Sequence, residues 1–278
     1  MRVFITGSKG QLGKCLLDTG VGTATCGVDL PEYDFTDARA IREAILDFWP
    51  DVIVHGGAYT LVDAAESHVD EAFRVNALGT QNVALAAQAC GAAMVYISTN
   101  EVFDGAKEAP YLEFDAPNPI GVYARSKWAG EQYTLRLVAK HYVVRTAWLY
   151  ARGGNNFCSK IVQAAGERGE IRAVSDEFGS PTYAPDLAQA VTQLIETGQY
   201  GIYHFTNEGV CSRFEWAQEI LRLSGRGQVP IRPIHSSEWV RAARSPRYAP
   251  LRNFCGAELG IRLRPWREGL AEYFQAEQ

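Results

Sequence analysis

Short apolar runs alternate with longer amphipathic stretches along the first 150 residues of the chain. The apolar runs predict buried strands at 2–6, 23–29, 52–55, 94–98 and 142–146. The amphipathic stretches predict helices that begin near residue 11 and at 38–48, 71–90 and 123–140. Strands separated by helices of this length predict βαβ units, and therefore a parallel sheet with helices on both faces.

The alternation weakens after residue 151, where glycine, proline and arginine become denser. We therefore predict an α/β fold: a Rossmann-type, doubly wound parallel sheet with a smaller mixed α/β substrate lobe. Residues 1–150 are expected to form the dinucleotide-binding Rossmann domain, with part of 171–200 returning to it. Residues 151–170 and 201–278 are expected to form the substrate-binding lobe.

Composition narrows the choice of partners and compartment. The 278 residues carry a net charge of -5, so no basic surface for nucleic acid is expected. No apolar run approaches the roughly 20 residues of a membrane span. The chain opens directly on strand-like residues, so we expect no signal peptide and a cytoplasmic protein. Six scattered cysteines show neither C-x-x-C pairs nor zinc spacing, which predicts free thiols and no metal site.

A glycine-rich turn follows the first strand and opens the first helix. Glycines at this G-x-x-G-x-x-G spacing allow a tight turn and let backbone N–H groups approach a pyrophosphate. The helix N-terminus would then face the anion. The residues of this turn that we expect to bind a dinucleotide are Gly7, Lys9, Gly10, Gln11, Leu12 and Gly13.

Asp29 ends the second strand, about twenty residues beyond the turn, where a carboxylate can bond the adenosine ribose. The alternative is an ordinary turn aspartate. Asp29 favours NADH because it would repel a 2′-phosphate, whereas Lys9 would attract one. We expect NADH or NADPH as cofactor, with NADH slightly favoured.

Tyr123 and Lys127 form a Y-x-x-x-K pair on one face of a predicted helix. An ammonium near a phenol is expected to lower the tyrosine pKa, so that Tyr123 can donate a proton to a developing alkoxide. Thr99 ends a strand at the sheet edge where ligands bind, and its hydroxyl can orient the reacting oxygen. The alternatives are an exposed helix pair and a strand-capping threonine.

Together Thr99, Tyr123 and Lys127 resemble the catalytic triad of the short-chain dehydrogenase/reductase superfamily. Within it, the chain resembles the dTDP-4-dehydrorhamnose reductases. The segments that carry this resemblance run through nearly the whole chain: P-D-V-I-V-H-G-G-A-Y-T at 50–60, V-D-A-A-E-S at 62–67, V-N-A at 75–77, R-T-A-W at 145–148, G-N-N-F at 154–157, G-S-P-T at 179–182 with Asp186, and P-W-R-E at 265–268.

The resemblance implies NAD(P)H-dependent reduction of the C4 ketone of a dTDP-4-keto-6-deoxy sugar, giving dTDP-L-rhamnose. Tyr123 would protonate the oxyanion, Lys127 would hold the nicotinamide ribose and Thr99 would orient the ketone. Further cofactor contacts are expected from Asp34, Phe35, Gly56, Gly57, Ala58 and Tyr59. Substrate contacts are expected from Glu101, Val102, Phe103, Trp148, Asn156 and Arg247.

Several of these residues have plainer alternatives. Trp148 also suits core packing, and Asn156 also suits a turn. Asp34 and the nearby Asp37 equally suit the cap of the next helix. Asp63 and Glu66 could line the site, although such residues are more often solvated carboxylates at a helix start.

The chain departs from the family pattern at three places. Asn100-Glu101 replaces the family's Asp-Tyr, which leaves the exact sugar open. The family's late R-P-x-x-S-x-L is here Ser245 to Leu251, so phosphate contacts are expected from Arg244 or Arg247. Lys14-Cys15 stands where some members place a metal-binding glutamate at a dimer contact, so no metal is predicted.

Two other functions remain open at this stage. One is an NAD-retaining nucleotide-sugar epimerase, dehydratase or decarboxylase, which the glutamate at 101 also suits. The other is a non-catalytic, NADP-binding regulatory subunit. The expected partner is a nucleotide sugar, and the expected state is a monomer or homodimer.

Overall fold

A parallel sheet of six strands forms the centre of the computed structural model, which describes residues 1–275. Its order is β10-β5-β4-β3-β1-β2. The bounds are β1 Arg2–Thr6, β2 Ala24–Val28, β3 Val52–His55, β4 Ala93–Thr99, β5 His141–Thr146 and β10 Gly201–His204. These strands are mostly apolar and buried, as strands covered on both faces must be.

Helices cover both faces of this sheet. One face packs against α1 (Gln11–Asp18) and α8 (Ala184–Thr197). The other face packs against α2 (Ala38–Phe48), α5 (Thr80–Cys90) and α6 (Val122–Leu137). The predicted doubly wound Rossmann-type sheet is therefore confirmed. No helix within residues 1–275 is long and apolar enough to cross a membrane.

The helix expected over 71–90 is interrupted. The chain instead forms α3 (Val62–Ala65), α4 (Val69–Phe73), a π-helical turn (Arg74–Gly79) and then α5. A π-turn inserts an extra residue and so redirects a side chain. Here Asn76 bonds the backbone N–H of Tyr59 at 2.8 Å and the hydroxyl of Ser126 at 2.9 Å. The turn thus joins the loop after β3 to α6.

The second lobe contains three short two-stranded pairs among the described residues, β6–β9, β7–β12 and β8–β11. Its helices pack around buried aromatic residues, chiefly Trp216 and Trp266. The remaining bounds are β6 Leu149–Tyr150, α7 Phe157–Glu167, β7 Ile171–Val174, β8 Phe178–Gly179, β9 Thr182–Tyr183, β11 Cys211–Ser212, α9 Arg213–Leu223, β12 Ile231–Ile234, α10 Cys255–Glu258 and α11 Trp266–Gln275.

The two lobes divide differently from the expected boundaries. Strand β10 was assigned to the substrate lobe, but it extends the main sheet by pairing with β5. The return through 171–200 is made by α8, whereas β7 stays in the lobe with β12. Helix α8 packs on the main sheet, and the strand that follows such a helix usually returns to the same sheet. Strand β10 does so by pairing with β5. Residues 276–278 of the expected lobe lie outside the described residues.

A buried ion pair fixes α6 to the sheet. Arg145 on β5 donates to both carboxylate oxygens of Glu131 on α6, at 3.0 and 2.7 Å. The side chains are 2% and 0% exposed, and Ser98 on β4 donates to the same carboxylate. A charge buried this deeply requires its partner, because either one alone would be left without compensation.

We predict that Glu131→Gln lowers the free energy of unfolding by about 3 to 5 kcal/mol, since it strands the Arg145 charge in the core. Guanidinium unfolding followed by circular dichroism measures the change. The matched control is Glu43→Gln, which removes the exposed i,i+4 pair with Arg39 and should cost less than about 0.5 kcal/mol. Equal effects in the two variants would contradict the anchoring role.

Candidate active site

The glycine turn after β1 lies against the N-terminus of α1. Gly7 has φ of +72°, which favours glycine, and a Cβ there would lie 2.6 Å from the backbone nitrogen of Gly57. At Gly13 a Cβ would clash with the carbonyl oxygen of Gly7. No side chain caps α1 at Gly10. The turn therefore leaves backbone N–H groups for an anion and fits the pyrophosphate of a dinucleotide.

Two other residues of this turn are held by bonds within the protein. Gln11 accepts hydrogen bonds from the backbone of Ala151 and the side chain of Asn156, both at 2.8 Å. Leu12 is buried in the core beneath the sheet. Their side chains are therefore occupied within the protein, so only their backbone N–H groups, in the first turn of α1, remain for an anion.

Asp29 lies beside the glycine turn, as expected for a ribose-binding carboxylate. It accepts the backbone N–H groups of Lys9 and Leu30, each at 2.8 Å. The Lys9 ammonium donates to the Leu30 carbonyl at 2.8 Å and forms an ion pair with Glu32. The hydrogen bond from Lys9 lowers the pKa of the Glu32 carboxyl. Asp29 and Lys9, the two residues expected to bear on the choice between NADH and NADPH, thus contact each other.

The remaining expected cofactor residues lie at the ends of β2 and β3. The ring of Phe35 packs against Gly57 and meets His55 edge-on at 5.0 Å. Asp34 accepts the backbone N–H of Thr36, so its carboxylate shapes its own loop. Asp37 caps α2, which was the alternative for it. Residues 56–59 follow β3 directly, next to the glycine turn.

Thr99, Tyr123 and Lys127 meet at the end of β4. Thr99 is the last residue of that strand, and its hydroxyl lies close enough to Tyr123 to favour a lower pKa of that phenol. The Lys127 ammonium donates to the Ile97 carbonyl at 2.7 Å and lies 4.2 Å from the centre of the Tyr96 ring. The chain therefore brings the three predicted side chains to one end of the sheet.

The electrostatics of this group differ from the expectation. Burial, together with the charge of Glu101, raises the pKa of Tyr123 well above its usual range. Burial lowers the pKa of Lys127 to about 7, and the charge of Glu131 opposes this shift. The ammonium turns toward Ile97 and Tyr96 rather than toward the phenol, so it does not make Tyr123 more acidic. Tyr123 keeps its proton at neutral pH.

The position of α6 is set by contacts near its N-terminus. Glu66 accepts the backbone N–H of Val122 at 2.8 Å, so it caps the helix instead of lining the site. Asp63 accepts from Arg241 at 2.9 Å and from the backbone of Ala243 at 3.0 Å. It joins the first lobe to a loop of the second and lines a cavity there.

A cavity of about 790 Å³ opens in the second lobe, and five of its lining residues are Asp63, Phe157, Val174, Arg213 and Arg241. The Arg213 guanidinium lies 3.7 Å above the centre of the Trp148 ring, which stacks on Trp216 at 5.5 Å. No hydrogen bond from residues 1–275 reaches this guanidinium. It is therefore free to bind an anion in the cavity.

Arg213 was not predicted from the sequence. The one signal was its position at the first residue of α9, where the helix dipole disfavours a cation. Its stacking on Trp148 depends on a backbone turn that places Trp148 at φ of +46°, and no sequence pattern announced that turn. Trp148 therefore packs against the Arg213 guanidinium and does not only fill the core.

Four expected substrate contacts occupy other roles. Val102 and Phe103 are 0% exposed, and Phe103 stacks on Tyr111 at 4.2 Å, so a substrate cannot reach them. Asn156 caps α7 and donates to Gln11 and Ala151, which supports the turn alternative. Arg247 is exposed and lies 3.7 Å from Asp176. Apolar residues that follow a site strand are drawn into the core, which the motif alone did not reveal.

Glu101, the fifth expected contact, remains at the site. Burial raises the pKa of its carboxyl to about 7, and the nearby Glu177 and Asp63 add to the rise. The charges of Arg241 and Arg213 oppose it. No residue of 1–275 hydrogen-bonds this carboxyl.

The described residues contain no group of three or more His, Cys, Asp or Glu that could hold a metal ion. The six cysteines are all free thiols. Burial raises the pKa of Cys15, just past the glycine turn, to about 11.

The chain is similar in sequence to a known protein family over its whole length. A family model described as the RmlD substrate binding domain matches residues 1–278. The chain is 39% identical over 279 residues to the dTDP-4-dehydrorhamnose reductase of Mycobacterium tuberculosis, covering 97% of this chain and 91% of that protein. It is 37% identical over 277 residues to the spore coat polysaccharide biosynthesis protein SpsK of Bacillus subtilis, covering 99% and 97%.

A solved structure is similar over the whole chain. The crystal structure of dTDP-4-dehydrorhamnose reductase from Bacillus anthracis, in complex with NADP, gives a TM-score of 0.96 at 40% identity. The match covers 100% of this chain and 99% of that one.

We predict that Gly13→Ala weakens binding of NADH and NADPH by at least about tenfold, because its Cβ would push α1 away from the turn that faces the pyrophosphate. Fluorescence titration measures both affinities. The matched control is Gly166→Ala on α7, where nothing lies within 4 Å of the added Cβ. Unchanged affinity in Gly13→Ala would show that the turn does not bind the cofactor.

Proposed function

The chain belongs to the dTDP-4-dehydrorhamnose reductase family, and from this premise we propose that it reduces the C4 ketone of a dTDP-4-keto-6-deoxy sugar with NAD(P)H. The conversion of dTDP-4-dehydrorhamnose to dTDP-L-rhamnose is the reaction that the relatives' names support. The observation that carries the proposal is the meeting of Thr99, Tyr123 and Lys127 at the end of β4. Glu101, two residues after Thr99, feels the charges of Arg213 and Arg241, which line the second-lobe cavity.

Tyr123 is the proposed acid. Its pKa is raised, so it holds a proton at neutral pH and can give it to the oxygen of the ketone as that oxygen becomes an alkoxide. Thr99, whose hydroxyl lies near that of Tyr123, is proposed to orient the ketone. A bound nicotinamide supplies the hydride.

Lys127 is proposed to position the cofactor and to keep the local charge positive. Its ammonium is anchored to the Ile97 carbonyl one helical turn from Tyr123, within reach of a ribose hydroxyl at this end of the sheet. Since its pKa lies near 7, a hydroxyl or carboxylate partner strengthens its charged form.

The nucleotide diphosphate is proposed to lie against Arg213 and Arg241, which line the cavity, rather than against Arg244 or Arg247, which are exposed. The Arg213 guanidinium, which no residue of 1–275 hydrogen-bonds, can bind phosphate in a bidentate manner. Arg241 donates to Asp63 and Ser245, so it adds positive charge beside that contact. The platform of Trp148 and Trp216 holds Arg213 in place for this contact.

Both cofactors are proposed to be used, with NADH slightly favoured. Asp29 suits a free ribose hydroxyl, whereas Lys9 beside it is held by Glu32 and is only partly available to a 2′-phosphate. The relative that was crystallised with NADP supports the use of the phosphorylated form by such a fold.

We predict that Tyr123→Phe lowers kcat by about 10²- to 10⁴-fold, because the proton donor is lost. Steady-state NAD(P)H consumption with a dTDP-4-keto-6-deoxy sugar measures kcat, and titration should show the cofactor affinity within about threefold of the parent. The matched control is Tyr133→Phe on the same helix. Undiminished turnover in Tyr123→Phe would contradict the acid role. Conversion of the sugar by the parent without steady consumption of NAD(P)H would indicate a cofactor-retaining enzyme instead.

We also predict that Glu32→Gln raises the affinity for NADPH relative to NADH by about threefold, since it frees the Lys9 ammonium for a 2′-phosphate. Competitive titration with the two cofactors measures the ratio. Glu43→Gln, which removes a similar exposed charge on α2, should leave the ratio unchanged. The same ratio in Glu32→Gln would mean that Lys9 takes no part in cofactor choice.

A further inference from the structure

The segment that follows β12 runs from the second lobe to the first, and we call its residues 236–245 the strap. At its start, Ser236 donates its backbone N–H and its hydroxyl to Asp176 of the second lobe, at 2.6 and 2.7 Å. Near its end, Asp63 on α3 accepts the backbone N–H of Ala243 at 3.0 Å. A carboxylate in each lobe therefore holds one end of the strap.

The strap borders the second-lobe cavity between these two anchors. Trp239 and Arg241 line the cavity, and so does Asp63. Trp239 is half exposed and Val240 is almost fully exposed, so apolar packing holds this part of the strap only weakly. Its position therefore depends on the polar anchors at its ends.

Two of the three guanidinium nitrogens of Arg241 are held by the protein. Nε donates to Oδ1 of Asp63 at 2.9 Å, and Nη1 donates to the Ser245 hydroxyl at 2.8 Å. No hydrogen bond joins Nη2 to a residue of 1–275. Because the group is planar, fixing two nitrogens also fixes the direction of the third. Arg241 is thus ordered in advance, with Nη2 left to donate to an anion.

Arg213, the other arginine of the cavity, lies near enough to be affected by Arg241. Burial lowers the pKa of Arg213 to about 10, and the charge of Arg241 adds to this shift. Asp63 offsets part of this positive charge through its ion pair with Arg241. The Asp63 side chain is 54% exposed, so water screens its repulsion of an anion. It can therefore hold Arg241 without strongly opposing a bound phosphate.

We propose that Asp63 is a positioning residue for the nucleotide: by holding Arg241 and the strap, it keeps the Nη2 group of Arg241 directed at the substrate diphosphate. The inference rests on the proposed function, which assigns that diphosphate to the cavity. An arginine that is already ordered loses little freedom when it binds phosphate, whereas a free side chain must be ordered during binding. In this role Asp63 touches neither the ketone nor the cofactor.

The test measures binding of dTDP by isothermal titration calorimetry. Asp63→Ala should weaken dTDP binding by about tenfold, the factor expected for ordering one free arginine side chain. Asp63→Asn should stay within about threefold of the parent. The reason is that both bonds to Asp63 converge on Oδ1, which an amide oxygen reproduces. Tighter binding of dTDP in both variants would show that Asp63 mainly repels the nucleotide, and it would overturn the proposal.

A double-mutant cycle separates positioning from a purely structural role. If Asp63 acts through Arg241, then Asp63→Ala should weaken dTDP binding by less than about threefold in a protein that already carries Arg241→Ala. A larger loss in that background would mean that Asp63 supports the lobe in general, which contradicts the proposal. The matched control is Glu71→Ala, which removes a similarly exposed carboxylate that pairs with Arg74 outside the cavity. Its affinity for dTDP should equal that of the parent.

Ser245→Ala is a second test that leaves Asp63 in place. It removes the bond to Nη1 of Arg241, so dTDP binding should weaken by about threefold. Unchanged affinity in Ser245→Ala would overturn the positioning role even if Asp63→Ala failed to fold.

Steady-state assays with a dTDP-4-keto-6-deoxy sugar separate this inference from the proposed function. Asp63→Ala should raise KM by about tenfold and keep kcat within about threefold, because Arg241 contacts the nucleotide and not the ketone. A fall in kcat without a change in KM would contradict the positioning role. If the parent reduces the sugar and Asp63→Ala binds dTDP as tightly as the parent, the inference is overturned and the reductase stands. If the parent neither binds dTDP nor reduces the sugar, both proposals fail.

Discussion

The close contact between helix α6 and strand β4 is the constraint on which the site depends. A Cβ at Gly130 would clash with the hydroxyl of Tyr96 on β4 and would lie 2.5 Å from the Asn76 carbonyl in the π-helical turn, so only glycine permits this approach. The Tyr96 hydroxyl donates to the Lys127 carbonyl at 3.1 Å, and the Arg145–Glu131 pair fixes the helix from beneath. A buried ion pair with ideal geometry is directional, so the helix has one register relative to the strand. That register sets the site at the end of β4.

Much of this arrangement could be predicted from local sequence. Apolar runs and helical periodicity located the first five sheet strands, since both patterns follow directly from burial on two faces. The glycine spacing and the pair at 123 and 127 predicted side chains that the fold brings to one edge. These features are encoded within a few residues of one another, so no tertiary knowledge was needed.

The remaining features depend on contacts between distant segments. The π-turn at 74–79 exists because Asn76 bonds Tyr59 and Ser126, and such partners are not visible in a helical pattern. Strand β10 is short, and it pairs with β5 at the edge of the main sheet because α8 carries the chain back to that sheet. The platform under Arg213 brings Trp148, just before β6, together with Phe157 on α7 and Trp216 on α9, which lies much later in the chain. The ionisation of Glu101 depends on charges from four elements, so a motif could show its position but not its acidity.

Gln11 has a role that reaches beyond its own turn. Its amide oxygen binds Ala151 and Asn156, and Asn156 in turn caps the helix whose first residue, Phe157, borders the cavity. A continuous path of hydrogen bonds therefore connects the glycine turn to the cavity wall. Any coupling along this path is reciprocal, so a ligand in one pocket would change the affinity of the other pocket by the same factor in both directions. A single amide side chain thus physically links the two pockets.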